Sequence, residues 1–110
     1  MKDVVSKMGQ LLESKGNVLK LLKHWELFEL LYGANMFDNM PEAVAIHTDV
    51  IRSVLFVGDH KASRTQLENV TLFMEGESIT DIAKLRECDE STVRQSLNEF
   101  VRYMSKYMDI

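Results

Sequence analysis

The chain has 110 residues, 45% of them hydrophobic, and carries 13 Lys and Arg against 17 Asp and Glu, a formal charge of −4. That length is read as a single domain over 1–110, large enough to bury a self-sufficient core. One cysteine, Cys88, excludes an internal disulfide and the cysteine-rich zinc patterns.

The opening residues lack the basic start, apolar middle and cleavage site of a signal peptide, and no apolar run nears the roughly 18 residues of a membrane span. A cytoplasmic protein without membrane contact is the expectation. One proline and five glycines, with abundant Leu, Met, Lys and Glu, favour helix throughout. The predicted fold is all-α with about six helices.

Residues 2 to 14 place Val4, Val5, Met8, Leu11 and Leu12 at steps suited to an amphipathic helix, which Gly16 and Asn17 stop. Asn17 then caps a second helix running to Gly33, with Val18, Leu21, Leu22, Trp25, Phe28, Leu31 and Tyr32 on one side. Lys20, Lys23, Glu26 and Glu29 occupy the other. Leu19, Leu27 and Leu30 widen the apolar sector, as in a helix central to the fold or shared with a second chain.

After a loop over 34 to 40, Pro41 suits the first position of a third helix, because its missing N–H would be unpaired there in any case. The inward stripe is read as Val44, His47, Ile51, Val54 and Leu55, and Gly58 with Asp59 as the break. Ser63 caps a fourth helix whose Leu67, Val70, Phe73 and Met74 face inward, ending at Gly76.

The next stretch, SITDIAKLRECDESTVRQSLNEFVRYMSKYM, reads as a short helix, a tight turn and a longer helix. Ser78 and Asp81 have capping-box spacing, and Asp89 opens the second helix with its carboxylate favoured by the helix dipole. Two helix starts so close together require a steep crossing around a small residue, Ala83, with Ile82 and Leu85 beside it and Val93 and Leu97 opposite. The helix over 63 to 75 completes a three-helix core.

Over Ser63 to Tyr107, and above all in IAKLRECDESTVRQSL, the chain resembles the DNA-binding region 4 of bacterial sigma factors and the related helix-turn-helix of response regulators. The matching positions are Ile82, Ala83, Leu85, the polar turn, the run from Asp89 to Gln95, and Leu97. The family has glycine in the turn where this chain has Glu87, an aliphatic residue where it has Cys88, and an apolar one where it has Ser96. A non-glycine residue held at positive φ in that turn costs on the order of 1 kcal/mol.

The resemblance implies that the second helix enters the DNA major groove. With Val93, Leu97, Phe100 and Met104 turned inward, Glu90, Ser91, Arg94, Gln95 and Asn98 face outward as base contacts, each matched pair discriminating by roughly 1 to 3 kcal/mol. Arg64, Lys84, Arg86 and Thr92 are the phosphate contacts. From Ser78 to Ile110 five positive charges face six negative ones. A lone high-affinity DNA binder carries a basic excess, so contact as a homodimer or beside RNA polymerase or a sigma factor is expected. Residues 1–57 then form an interaction or dimerisation part and 63–110 the helix-turn-helix part.

Catalytic and metal chemistry find no motif. His24, His47 and His60 share no i, i+4 spacing, there is no HExxH, no glycine-rich phosphate cradle and no nucleophile with a base at motif spacing. No cofactor is expected, Cys88 is read as a small apolar residue, and Met8, Met74 and Met104 as core fillers. The predicted function is a small bacterial or phage transcription regulator binding double-stranded DNA, not an enzyme. The alternatives are a protein-only interaction module of anti-sigma type and a phage small-terminase-type DNA recognition protein.

Overall fold

The computed structural model describes residues 18–36 and 38–108, which form six helices. They are α1 (Val18–Lys23), α2 (Trp25–Gly33), α3 (Pro41–His60), α4 (Arg64–Met74), α5 (Ile79–Leu85) and α6 (Glu90–Met108). The protein is all-α, with no strand among the described residues. The helix expected over 2 to 14 and its stop at Gly16 and Asn17 lie outside the described residues.

α6 is the hub. Val93, Leu97, Phe100 and Met104 recur at steps of four and three, and all four are buried, as their spacing requires. Burying an aliphatic or aromatic side chain of this size stabilises by roughly 1.5 to 3 kcal/mol, so this one stripe anchors much of the fold. α1, α3, α4 and α5 all pack on α6. α1 and α3 thus cross the expected division near residues 57 to 63, and their buried residues belong to the same core cluster as those of α4 to α6. Met36 and Met40, in and beside the α2–α3 loop, pack against that cluster as well.

The helix expected to run from residue 17 to Gly33 is two helices, separated at His24 (φ −105°, ψ 17°). Its backbone ladder nonetheless continues, with His24 N–H donating to the Lys20 carbonyl at 3.2 Å and Phe28 N–H to the His24 carbonyl at 3.1 Å. One residue with non-helical dihedrals interrupts the helix, and no proline or glycine announces it. Val18, Leu21, Leu22, Trp25, Phe28 and Leu31 are buried as expected, whereas Tyr32 is exposed at its edge and stacks on His47 with ring centroids 3.9 Å apart. Trp25 also stacks on His47 at 5.1 Å, and Glu29 pairs with the His47 ring.

α3 corrects the expected stripe by one residue. Ala43, Ile46, Val50, Ser53 and Val57 are buried, while Val44, Ile51 and Leu55 are exposed, Leu55 by 68%. Val54 is half-buried, and His47 is nearly covered within its aromatic stack. Both stripes have helical spacing, and the larger side chains favoured the wrong one; the buried face instead carries small Ala43 and Ser53, which suit close packing of backbones. The Ser53 hydroxyl is satisfied by donating to the Val50 carbonyl at 2.9 Å. Gly58 does not break α3, which continues to His60. A Cβ at Gly58 would come within 2.9 Å of Leu67 Cδ1, so this glycine marks a close approach of α4.

Three helices end in the same hydrogen-bond pattern. After α2, α4 and α5 the residues at positive φ are Asn35 (59°), Gly76 (101°) and Glu87 (54°). In each case that residue's N–H and the next one's reach back into the last turn, as Gly76 N–H does to Phe73 and Glu77 N–H to Leu72, both at 3.1 Å. At the other ends, Ser63 and Gln66 form the full capping box of α4. Ser78 accepts from Asp81 N–H at 3.1 Å, the half of its expected box that the structure contains.

Candidate nucleic-acid interface

α4, α5 and α6 contact one another pairwise. α5 is seven residues long and is joined to α6 by Arg86 to Asp89. Ile82 and Ala83 are buried, in the same core cluster as Val93 and Leu97 of α6. Leu85 is not at that contact; it is 64% exposed, because the chain turns away directly after it. The turn is made by Glu87 in the left-handed region, with Cys88 N–H donating to the Ala83 carbonyl at 3.0 Å. Cys88 is half-buried against the core, and Ser96 is buried on α6.

The outer face of α6 carries the expected base-contact set. Glu90, Ser91, Arg94, Gln95 and Asn98 are exposed, and Thr92 with them. Ser91, Arg94, Gln95 and Asn98 line one shallow cleft of about 440 Å³ with Glu99 and Arg102. Glu99 is held in place by Gln66, whose amide nitrogen donates to its carboxylate while the amide oxygen accepts from Ser63 N–H at 3.0 Å. One glutamine therefore both caps α4 and ties it to the cleft wall. Glu90 stands apart from that cleft. It accepts from the Thr80 hydroxyl at 2.8 Å and lies 3.9 Å from Arg94, linking the starts of α5 and α6.

Of the expected phosphate contacts, Lys84 is exposed on α5, beside the cleft formed with Thr80, Glu87 and Asp89. Arg64 and Arg86 converge on Glu68, with Nε of Arg64 at 3.1 Å from one carboxylate oxygen and Nη1 of Arg86 at 2.6 Å from the other. The Arg86 bond first, and the Arg64 bond after it, hold the Glu68 carboxyl below its ordinary value of 4.5. Arg64 remains widely exposed, while Arg86 is largely covered. The phosphate set is thus spread over three places: Lys84 on α5, Thr92 on α6, and Arg64 of α4 with Arg86 of the following turn ion-paired to Glu68.

Two cations that sequence reasoning left on a solvated face enter the site. Lys20 and Lys23, with His24, line a groove of about 520 Å³ that also takes in Ser78, Thr80, Glu90 and Arg94. Arg94 therefore belongs to two neighbouring concavities, one on the face of α6 and one between α6 and α1. The i, i+3 spacing of the lysines was visible, but their distance from Arg94 is set by how α1 packs on α6. Among the described residues no three His, Cys, Asp or Glu side chains are grouped so as to hold a metal ion, and no helix is long and apolar enough to cross a membrane.

No protein-family model matches the chain, and no curated protein or solved structure gives a match.

Proposed function

We infer that the protein is a DNA-binding transcription regulator in which α4 to α6 act as a helix-turn-helix similar to sigma region 4, with α6 as the helix that enters the major groove. The observation that carries this reading is the exposed set on the first three turns of α6, Ser91, Arg94, Gln95 and Asn98 around one concave face. Arg94 donates two hydrogen bonds to guanine, Gln95 or Asn98 pairs with the adenine edge, and Glu90 accepts from cytosine. Lys84, Thr92, Arg64 of α4 and Arg86 of the turn after α5 meet the backbone. The chain's acidic balance makes a single copy a weak binder, so the reading includes a homodimer on half-sites about 34–36 Å apart, or a complex with RNA polymerase or a sigma factor, in the cytoplasm.

The test is selection of bound sequences from random duplex DNA, with and without RNA polymerase, for the native protein and Arg94→Ala. A defined motif whose preference relaxes at one position in the variant supports the reading, as does affinity falling log-linearly with salt. Absence of any bound duplex at low salt, alone or with polymerase, overturns it.

A rival reading has support of its own: Arg64 and Arg86 are engaged with Glu68, and the net charge is negative, as suits a protein-only interaction module of anti-sigma type. Capture of polymerase or a sigma factor without a DNA shift would favour it. A ring of many copies in solution would favour the small-terminase-type alternative.

A further inference from the structure

The groove between α1 and the start of α6 has no role in the reading above, and it deepens that reading. Its cations come from opposite ends of the described sequence. Lys20 and Lys23 stand one turn apart on α1, and Arg94 faces the same space from α6. Ser78 and Thr80 line the same groove; the Ser78 hydroxyl accepts from Asp81 N–H and keeps its own proton to donate to an anionic oxygen, whereas the Thr80 hydroxyl donates to Glu90. The acid present, Glu90, is already engaged by Thr80 and lies near Arg94. Among the described residues that line the groove, Lys20, Lys23 and Arg94 are accompanied by one carboxylate, Glu90.

We propose that this groove is a phosphodiester-binding extension of the α6 face, in which Lys20 and Lys23 hold the backbone of the duplex whose bases lie against Arg94, Gln95 and Asn98. Because Arg94 lines both concavities, a strand whose bases meet α6 continues into the groove without leaving the surface. The proposal also resolves the electrostatic deficit of the C-terminal part. Between Ser78 and Ile110 five positive charges face six negative ones, and α1 adds two cations to that surface from outside the interval. Lysines suit such a task, since an ammonium on a flexible stem follows a backbone without demanding one base sequence.

The inference rests on the proposed DNA-binding function, and the experiment separates the two. Binding of a pool of random duplexes is measured from about 50 to 200 mM salt for the native protein, for Lys20→Ala with Lys23→Ala, and for the milder pair Lys20→Gln with Lys23→Gln. Each lost phosphate contact lowers the log-log salt slope by about 0.9, so losing both makes the affinity drop across that range about tenfold smaller. Both pairs are also expected to weaken binding at low salt while keeping the selected motif, in contrast to Arg94→Ala. Native binding with an unchanged slope in both lysine pairs overturns the groove proposal and leaves the DNA-binding reading standing. A motif altered by the lysine pairs overturns it too, because backbone contacts carry no base preference. No binding by the native protein overturns both.

Discussion

Replacing Glu87 by glycine is expected to stabilise the protein. Glu87 sits at φ 54° in the turn between α5 and α6, where an L side chain brings Cβ against the following carbonyl. That crowding costs about 1 to 2 kcal/mol for a residue with Cβ. Glycine removes it but brings a larger loss of backbone freedom on folding, about 0.5 to 1 kcal/mol. The balance is a gain of roughly 0 to 1.5 kcal/mol, whose midpoint corresponds to a rise in Tm of about 3 to 6 °C for a domain of this size. The side chain is exposed and makes no hydrogen bond or ion pair among the described residues, so little else is lost. Thermal and urea unfolding of Glu87→Gly, Glu87→Asn and Glu87→Val should rank in that order, because asparagine tolerates the left-handed region and a β-branched side chain does not. Gly76→Ala is the control in the opposite sense. It places a Cβ at φ 101° and 2.6 Å from the Glu26 carboxylate, and should lower Tm. A glycine variant of position 87 less stable than the native protein, or a valine variant as stable as the asparagine one, would refute the turn conformation, and with it the way α6 is presented.

Two further outcomes follow from the polar groups behind the site. Glu68 titrates below its ordinary value in the folded chain, so its contribution to stability is fully present above about pH 4.5 and fades as pH falls through the lower native value. Native protein should therefore exceed Glu68→Gln in Tm at pH 7 by more than at about pH 3; a difference independent of pH would show that the arginine contacts add nothing. Asn69 is 1% exposed on α4, and its Oδ1 has no hydrogen-bond partner among the described residues. Since a buried unpaired acceptor costs about 1 to 3 kcal/mol, Asn69→Leu, which keeps the number and branching of side-chain heavy atoms but is bulkier, should raise the urea midpoint at unchanged m-value by about 1 kcal/mol of stability. A loss of stability in both Asn69→Leu and the smaller Asn69→Val would mean that the amide is satisfied after all.

The acid pairing at Glu68 also bears on how the proposed surface works. A duplex phosphate approaching Arg64 and Arg86 competes with a carboxylate that already accepts from both. Lys84, Lys20 and Lys23 are exposed, and Thr92 with them. The proposed backbone contacts therefore draw on α1 and α5 as well as on Arg64 of α4 and Arg86 in the turn after α5.

The sequence by itself determined the features governed by interactions within three or four residues. Ser63 and Ser78 accept from the N–H groups their spacing implies, Pro41 opens α3, and Gly76 ends α4 at positive φ. α6 was legible throughout because its aliphatic and aromatic stripe is narrow and its opposite face polar, which leaves one way to bury it, and the same contrast exposes the candidate base contacts. Tertiary structure alone decided the rest. α3 offers two apolar stripes of equal periodicity, and the choice of Ala43, Ile46, Val50, Ser53 and Val57 depends on how closely α6 approaches, which no local rule contains. The break at His24 has no residue that announces it. The pairing of Arg86 with Glu68, and the meeting of Lys20 and Lys23 with Arg94, join residues far apart along the chain. Their proximity is a consequence of helix docking, which depends on the shape of every buried side chain at once.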